Sequence, residues 1–256
     1  MLILLSCAKT MSESTNVKFP MLTEPRFQKE ASEVAFQMSQ FSVEELERLL
    51  HVDSKIAWEN YKRYQDFHSP SLKKLPALLA YTGIVFKRLG AKDFSSSDFE
   101  YAQHHLRMTS FCYGLLRPLD GIRSYRLEGD VLLPELGGTV FMFWRSRPTD
   151  ALIEDVRRAG GVLCNLASEE MKNLFEWKRL EEEVKIVTPE FHVWKNGKLS
   201  TVVIYTKMLR GEMSRFILKN RIEDPEELQR FSWEGFEYDE ALSDGKKLFF
   251  INGKEL

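Results

Sequence analysis

Cysteine is scarce and unpatterned: Cys7, Cys112 and Cys164 are the three in 256 residues, widely spaced and without a Cys-x-x-Cys pair. An odd, scattered set excludes a disulfide scaffold and reads as free thiols of a reducing compartment. Long apolar runs are missing too. No stretch approaches the roughly 20 apolar residues of a membrane span, so no membrane partner is expected. The opening Met1-Leu-Ile-Leu-Leu-Ser-Cys7 mimics a lipoprotein cleavage site. It lacks a positive flank, however, and falls short of the roughly 7–15 apolar residues of a signal core. It reads instead as a short buried strand of a cytoplasmic protein. Nor is there an excess of either charge, since 36 Lys+Arg stand against 38 Asp+Glu for a net −2. A globally basic nucleic-acid coat is thereby excluded, and any binding of DNA or phosphate must come from charge placement.

Several familiar chemistries are also missing. There is no Gly-x-x-x-x-Gly-Lys loop, no Gly-x-Gly-x-x-Gly turn and no Gly-x-Ser-x-Gly elbow, so nucleotide-loop folds and the hydrolase nucleophile are unsupported. His104 and His105 are adjacent and would point about 100° apart on a helix, a poor chelate. No set of His, Cys, Asp and Glu has zinc-ligand spacing. The reading therefore contains no metal and no cofactor.

What is present is a chain with 43% hydrophobic and 12% aromatic residues, ample for a core. At roughly 100–200 residues per domain its length fits one large domain or two small ones. No linker composition divides it, which favours one domain over residues 1–256. Apolar periodicity places a helix over 25–40. Ser42 followed by Glu44 and Glu45 starts a helix ending near Leu50, and Ser54 caps another over 55–67. A strand is expected over 76–83, and a helix opened by Ser96 and Ser97 runs to about Phe111. Residues 162–167 form a buried strand leading through Ser168-Glu-Glu into a helix. Segments 185–194 and 198–206 flank Asn196-Gly197, a hairpin signal, and a helix spans 210–221. The order predicts an α/β (α+β) fold with a mixed β-sheet surrounded by helices.

Three segments carry candidate chemistry. Leu46-x-x-Leu49-Leu50-His51-Val52-Asp53-x-x-x-Ala57 has the register of a helix-hairpin-helix within residues 44–67. Such a turn aims backbone N–H groups and a helix start at a phosphate. His51 and Asp53 stand where that motif has glycines, and the same spacing suits an ordinary helical hairpin packing Leu46, Leu49 and Ile56. The second segment, 107–128, holds Arg107, Arg117, Arg123 and Arg126 against Asp120 and Glu128, among the chain breakers Gly114, Pro118 and Gly121. Arginine forks on loops suit phosphate, although Arg117 and Arg126 also have Asp120 and Glu128 as internal partners. In the third, Lys207, Arg210, Ser214 and Arg221 fall on one helical face, with Arg215 and Lys219 close by. By contrast, residues 223–256 hold ten acids against four bases, so charge is segregated along the chain. Ser6, Lys9 and Thr10 end the first strand, a favoured ligand position in open α/β sheets.

Ordered blocks through the chain carry a resemblance. Leu2-Ile-Leu-Leu-Ser6-Cys7-Ala8-Lys9-Thr10, Ala102-Gln-His-His-Leu-Arg107-Met and Tyr113-Gly-Leu-Leu-Arg117-Pro-Leu-Asp120 are similar to blocks of the YaaA-like peroxide-stress family. So are Tyr125-Arg-Leu-Glu128, Asn165-Leu-Ala-Ser168, Tyr205-x-Lys207-x-x-Arg210-Gly and Met213-Ser-Arg-Phe-Ile217. The resemblance implies a cytoplasmic protein of hydrogen peroxide stress that lowers free iron and limits Fenton damage. It also implies double-stranded DNA binding through a positive cleft and a helix-hairpin-helix element on a mixed α/β domain. One departure is Cys7, where the family has proline. A thiol there, if its pKa were lowered by Lys9, would be open to oxidation.

Two functions follow as expectations. In the first, His51, Val52, Asp53, Ser54 and Lys55 meet duplex phosphates without sequence preference. Lys9, Arg107, Arg117, Arg126, Lys207, Arg210, Ser214 and Arg215 line the groove. The alternative is an enzyme acting on a small phosphate- or carboxylate-bearing molecule in the same basic cleft, with Ser6, Lys9, Asp120 and Glu128 as candidate catalytic groups. A small pocket with a perturbed carboxylate favours the enzyme, and a groove roughly 20 Å wide favours the duplex.

Overall fold

The computed structural model describes residues 1–253. Its central strand is β1 (Leu2–Leu5), whose four side chains are all fully buried. An unbroken aliphatic run suits a strand covered on both faces. Helices α1 (Gln28–Ser39), α2 (Val43–Leu50) and α3 (Ser54–Gln65) follow. Ser42 starts α2 with a full capping box, its hydroxyl accepting from Glu45 N while the Glu45 carboxylate accepts from Ser42 N. His51 ends α2 in the left-handed region at φ 50°. The cap of α3 is Asp53 rather than Ser54, because the Asp53 carboxylate accepts from Ile56 N at 2.9 Å. Leu46 and Leu50 are fully buried, while Leu49 and Ile56 are only half-buried.

The strand expected over 76–83 shrinks to β2 (Leu75–Pro76), and the chain then turns into the one-turn helix α4 (Ala77–Ala80). The Ala77 and Leu78 amides reach the carbonyls of Asp120 and Pro118, so no further ladder forms. Helix α5 (Ile84–Leu89) precedes α6 (Ser96–His105), which is capped by Ser95 and stops six residues before Phe111. The helix cannot run on because β3 (Leu106–Ser110) pairs with β1. Next come β4 (Gly114–Leu116), β5 (Gly121–Ile122), which pairs with β2, and the small hairpin of β6 (Leu132–Leu133) and β7 (Gly138–Thr139). Helices α7 (Val140–Trp144) and α8 (Arg147–Arg158) lead to β8 (Val162–Leu166), and a 3-10 turn over Glu169–Leu174 replaces the helix expected there.

After α9 (Trp177–Glu183), β9 (Lys185–Lys195) buries Val187, Pro189, Phe191 and Val193 on one face, the period of a one-sided strand. Asn196 and Gly197, at φ 52° and 71°, turn it into β10 (Lys198–Ser200). Positive φ at both positions is what a tight hairpin requires. Helix α10 (Val203–Asn220) starts seven residues earlier than its charged face suggested. It presses on α5 at Gly211, where an added Cβ would lie 2.3 Å from the Val85 carbonyl oxygen. Strands β11 (Phe236–Asp239) and β12 (Lys247–Asn252) finish the chain.

Eight strands share one mixed sheet, in the order β11-β12-β9-β8-β1-β3-β4 with β10 on β9. β3 and β8 flank β1 in parallel, β9 continues in parallel from β8, and β4 and β11 are antiparallel edges. The chain thus leaves β1 to one side for β3 and later returns to its other side for β8. Strand order reverses there, and the crevice beyond the carboxyl ends of such strands is the place for a ligand. Among the described residues, no helix is long and apolar enough to cross a membrane.

Candidate functional site

A cleft of about 390 Å³ opens at that reversal. Its floor is the chain leaving β1 (Ser6 to Thr10) and β8 (Leu166 to Met171), and its walls are the start of α5, the segment 125–127 and Lys207 and Arg210 of α10. The two strand ends are tied together by serines. Ser6 Oγ accepts from Ser168 N at 2.8 Å and lies 3.2 Å from Ser168 Oγ. Tyr64 of α3 donates to the Arg126 carbonyl at 2.6 Å, and the Tyr125 hydroxyl sits 2.6 Å from Ser110 Oγ and 2.8 Å from the Tyr81 hydroxyl. Segment 125–127 is therefore pinned to the sheet and to the helical hairpin, which preorganises the wall.

The charges of the cleft fall into two groups. Lys9 and Arg126 share Glu128, at 2.9 Å and 3.3 Å. Lys207 and Arg210 have no carboxylate within 4.0 Å among the described residues. Arg210 is half-buried, and burial alone lowers its pKa, with no carboxylate to offset it. Such a desolvated guanidinium remains charged and calls for an anion. Glu170 lines the same cleft, exposed and unpaired among the described residues. Its carboxyl is pushed up by burial and then by Glu128, with Lys9 opposing and Asp130 adding to the rise. Cys7 also lines the cleft, but the thiol does not follow the expectation of a lowered pKa. Burial pushes it up to about 12, against the hydrogen bond of Thr109, so it is a thiol at neutral pH.

Of the sequence candidates, Ser6, Lys9, Arg126, Lys207 and Arg210 come together here, with Glu128 directly behind. The others lie elsewhere. Arg107 is 6% exposed and bound to buried Asp155 at 2.7 Å and to the carbonyls of Gln103 and Leu106. Arg117 grips Asp120 at 2.9 Å and the Glu24 carbonyl at 2.8 Å. Asp120 is 0% exposed, also accepting from Thr23 Oγ1 and Arg117 N, so it holds a loop and is no candidate acid. Arg215 reaches Asp93 at 2.6 Å and the carbonyls of Leu89 and Gly90. Ser214 is buried and donates to the Arg210 carbonyl. Arg221 ends α10 in the left-handed region and pairs with Asp98 at 2.8 Å, so the expected four-residue basic face is not assembled.

His51, Asp53, Ser54 and Lys55 are exposed and Val52 half-buried on the α2–α3 turn, outside the cleft lining. A wider hollow of about 710 Å³ beside α8 contains five arginines, but Arg157, Arg158 and Arg179 are already paired with Glu183, Glu154 and Asp150. Among the described residues no group of three His, Cys, Asp or Glu can hold a metal ion. Glu170 is the residue that sequence reasoning passed over, as a helix-starting acid after Ser168. Its signal was position: it closely follows a buried, mostly apolar strand at a sheet's carboxyl edge.

Comparisons with known proteins agree along the whole chain. The family model for "Peroxide stress protein YaaA" matches residues 1–242. A UPF0246 protein of Bacteroides thetaiotaomicron is 74% identical, covering 99% of both chains. One from Bacteroides fragilis is 69% identical over 99% of each, and one from Crocosphaera subtropica is 37% identical over 98% of this chain and 100% of its own. With match and coverage of this extent, the chain belongs to the peroxide stress protein YaaA (UPF0246) family.

Proposed function

We propose that the protein works in peroxide stress through the cleft beyond β1 and β8, as an enzyme on a small phosphate- or carboxylate-bearing molecule. One observation carries this reading: Arg210 is half-buried in the cleft with no carboxylate among the described residues to pair with, and Lys207 stands beside it on the same wall. A charge held in that state is stabilised by an anion entering from solvent. Once the anion is bound, the two cations stabilise negative charge that develops on it. Glu170, its carboxyl raised in the same cleft, is the group suited to move a proton.

Duplex DNA binding through the helical hairpin is the second reading, and limitation of iron-driven damage would follow from it by shielding DNA. It is favoured by the exposed, three-residue turn at the start of α3, where first-turn N–H groups lack intrahelical acceptors. Against it, the Asp53 carboxylate occupies that helix start as its cap. The hairpin also carries Glu44, Glu45, Glu47, Asp53 and Glu59 against Arg48, Lys55, Lys62 and Arg63.

Calorimetric titration with phenyl phosphate and phenylpropanoate, beside a short duplex in a salt series, separates the two. The expected result is binding of a small anion that Arg210→Ala weakens at least about tenfold, a charged hydrogen bond being worth roughly 1.5–3 kcal/mol. Anions that fail to bind, together with salt-steep duplex binding lost in Lys55→Glu, would transfer the function to the hairpin.

A further inference from the structure

The cleft is electrically two-ended. Lys207 and Arg210, both unpaired among the described residues, stand on the α10 wall. Glu170 stands on the floor that follows β8, with Glu128 and Asp130 raising its carboxyl and Lys9 acting in the opposite sense. Among the described residues no ion pair within 4.0 Å joins Glu170 to Lys207 or Arg210, although all three line the cleft. The two groups therefore face the same 390 Å³ space without reaching each other. Neither end neutralises the other, so a molecule that spans the space and carries both charges satisfies both. Apolar side chains, Ile84, Phe86, Phe111, Leu127 and Met171, make up much of the rest of the lining, beside Ser6 and Ser168. A few placed polar groups on an apolar wall are the ordinary anatomy of a small-molecule site, and the cleft lies within the roughly 300–1,000 Å³ of such sites.

Resting on the anion reading above, we propose that the ligand is a zwitterion with an apolar body, its carboxylate or phosphate held by Arg210 and Lys207 and its amine held by Glu170. Each end contributes something different. The guanidinium and ammonium set affinity for the anion. The carboxylate sets selectivity, because a ligand without an amine leaves Glu170 facing an apolar group, and mismatched charge is how a site rejects the wrong partner. The acids behind Glu170 strengthen its preference for a cation and make a bare anion a poor occupant of that end. Pairing of Lys9 and Arg126 with Glu128 keeps those two cations from taking the role of the amine.

The test is calorimetry on the purified full-length protein with matched probes. L-phenylalanine carries amine and carboxylate side by side, and 4-(aminomethyl)benzoate carries them at opposite ends of a ring. Each is compared with its counterpart lacking the amine, phenylpropanoate and 4-methylbenzoate. At least one amine-bearing probe is expected to bind about tenfold more tightly than its counterpart, an advantage that Glu170→Gln abolishes while Arg210→Ala weakens both members of the pair alike. Which probe shows the advantage gives the separation of the two charges. Melting curves and circular dichroism of both variants establish that they are folded. Equal binding of amine-bearing and amine-free probes, or an advantage that survives Glu170→Gln, overturns the zwitterion and leaves a simple anion site. Absence of binding by every probe, phenyl phosphate included, overturns the anion reading as well.

Discussion

Arg107 and Arg210 are the same side chain in two settings. Arg107 lies on β3 beside the central strand, with a buried carboxylate at 2.7 Å and two carbonyls completing its fork. Among the described residues Arg210, on the cleft wall, has neither. The contrast extends to their neighbours, since Arg117 and Arg215 resemble Arg107, each held by an aspartate and backbone carbonyls. Arginines of the first kind join distant segments of the fold and are structural. An arginine of the second kind gives the folded chain little and is retained for what enters from outside. A basic count over a sequence window mixes the two, which is why so much of the expected groove is internal scaffolding.

The comparison can be broken most severely at Arg107. Arg107→Ala leaves Asp155 buried without its main partner and is expected to lower stability by about 3–5 kcal/mol in urea denaturation. A loss below about 1 kcal/mol would mean that Asp155 is adequately held by Arg26, 3.9 Å away. Asp98 sharpens the same point through pH. Burial alone would raise its carboxyl, but the Ser95 amide and Lys219 hold it well below the usual carboxylate range. Its native pKa being depressed, it contributes stability that is present above the unfolded carboxylate value and is lost as pH falls toward the native one. Asp98→Asn should cost about 1–3 kcal/mol at neutral pH and flatten acid unfolding below about pH 4, read by circular dichroism.

At Arg210 the sign of the comparison changes. Arg210→Ala is expected to leave stability within about 0.5 kcal/mol of the wild type, even as it weakens anion binding. A substantial loss of stability would place Arg210 among the structural arginines. The smallest effect belongs to Cys7. With its thiol held at about 12, peroxide at neutral pH should leave it reduced, as mass mapping of labelled thiols would show. Rapid oxidation of Cys7 alone would require a conformation that opens the floor of the cleft.

Features built from neighbouring residues were legible before the structure. The aliphatic run of β1, the Ser42 cap of α2 and the Asn196-Gly197 turn each depend on backbone geometry within a few positions, and all three are present. Errors arose where distant chain segments intervened. The helix of α6 ends at His105 because β1 offers residues 106–108 a ladder, and the strand at 76–83 is cut short because β5 offers only two residues. Half of the cleft was legible for the same local reason, since Ser6 and Lys9 follow a recognisable strand. Glu170 was not, because its raised carboxyl depends on burial and on Glu128 and Asp130, which are far away in sequence.

What the sequence by itself determined is therefore the family, the α/β class and the local elements, because ordered motifs, periodicity and caps are written within short windows. The tertiary structure alone decided the strand order, the place where it reverses, and which cations are left without a carboxylate. Pairing is a matter of distance in space, and an arginine's partner can lie 48 residues away, as Asp155 does from Arg107.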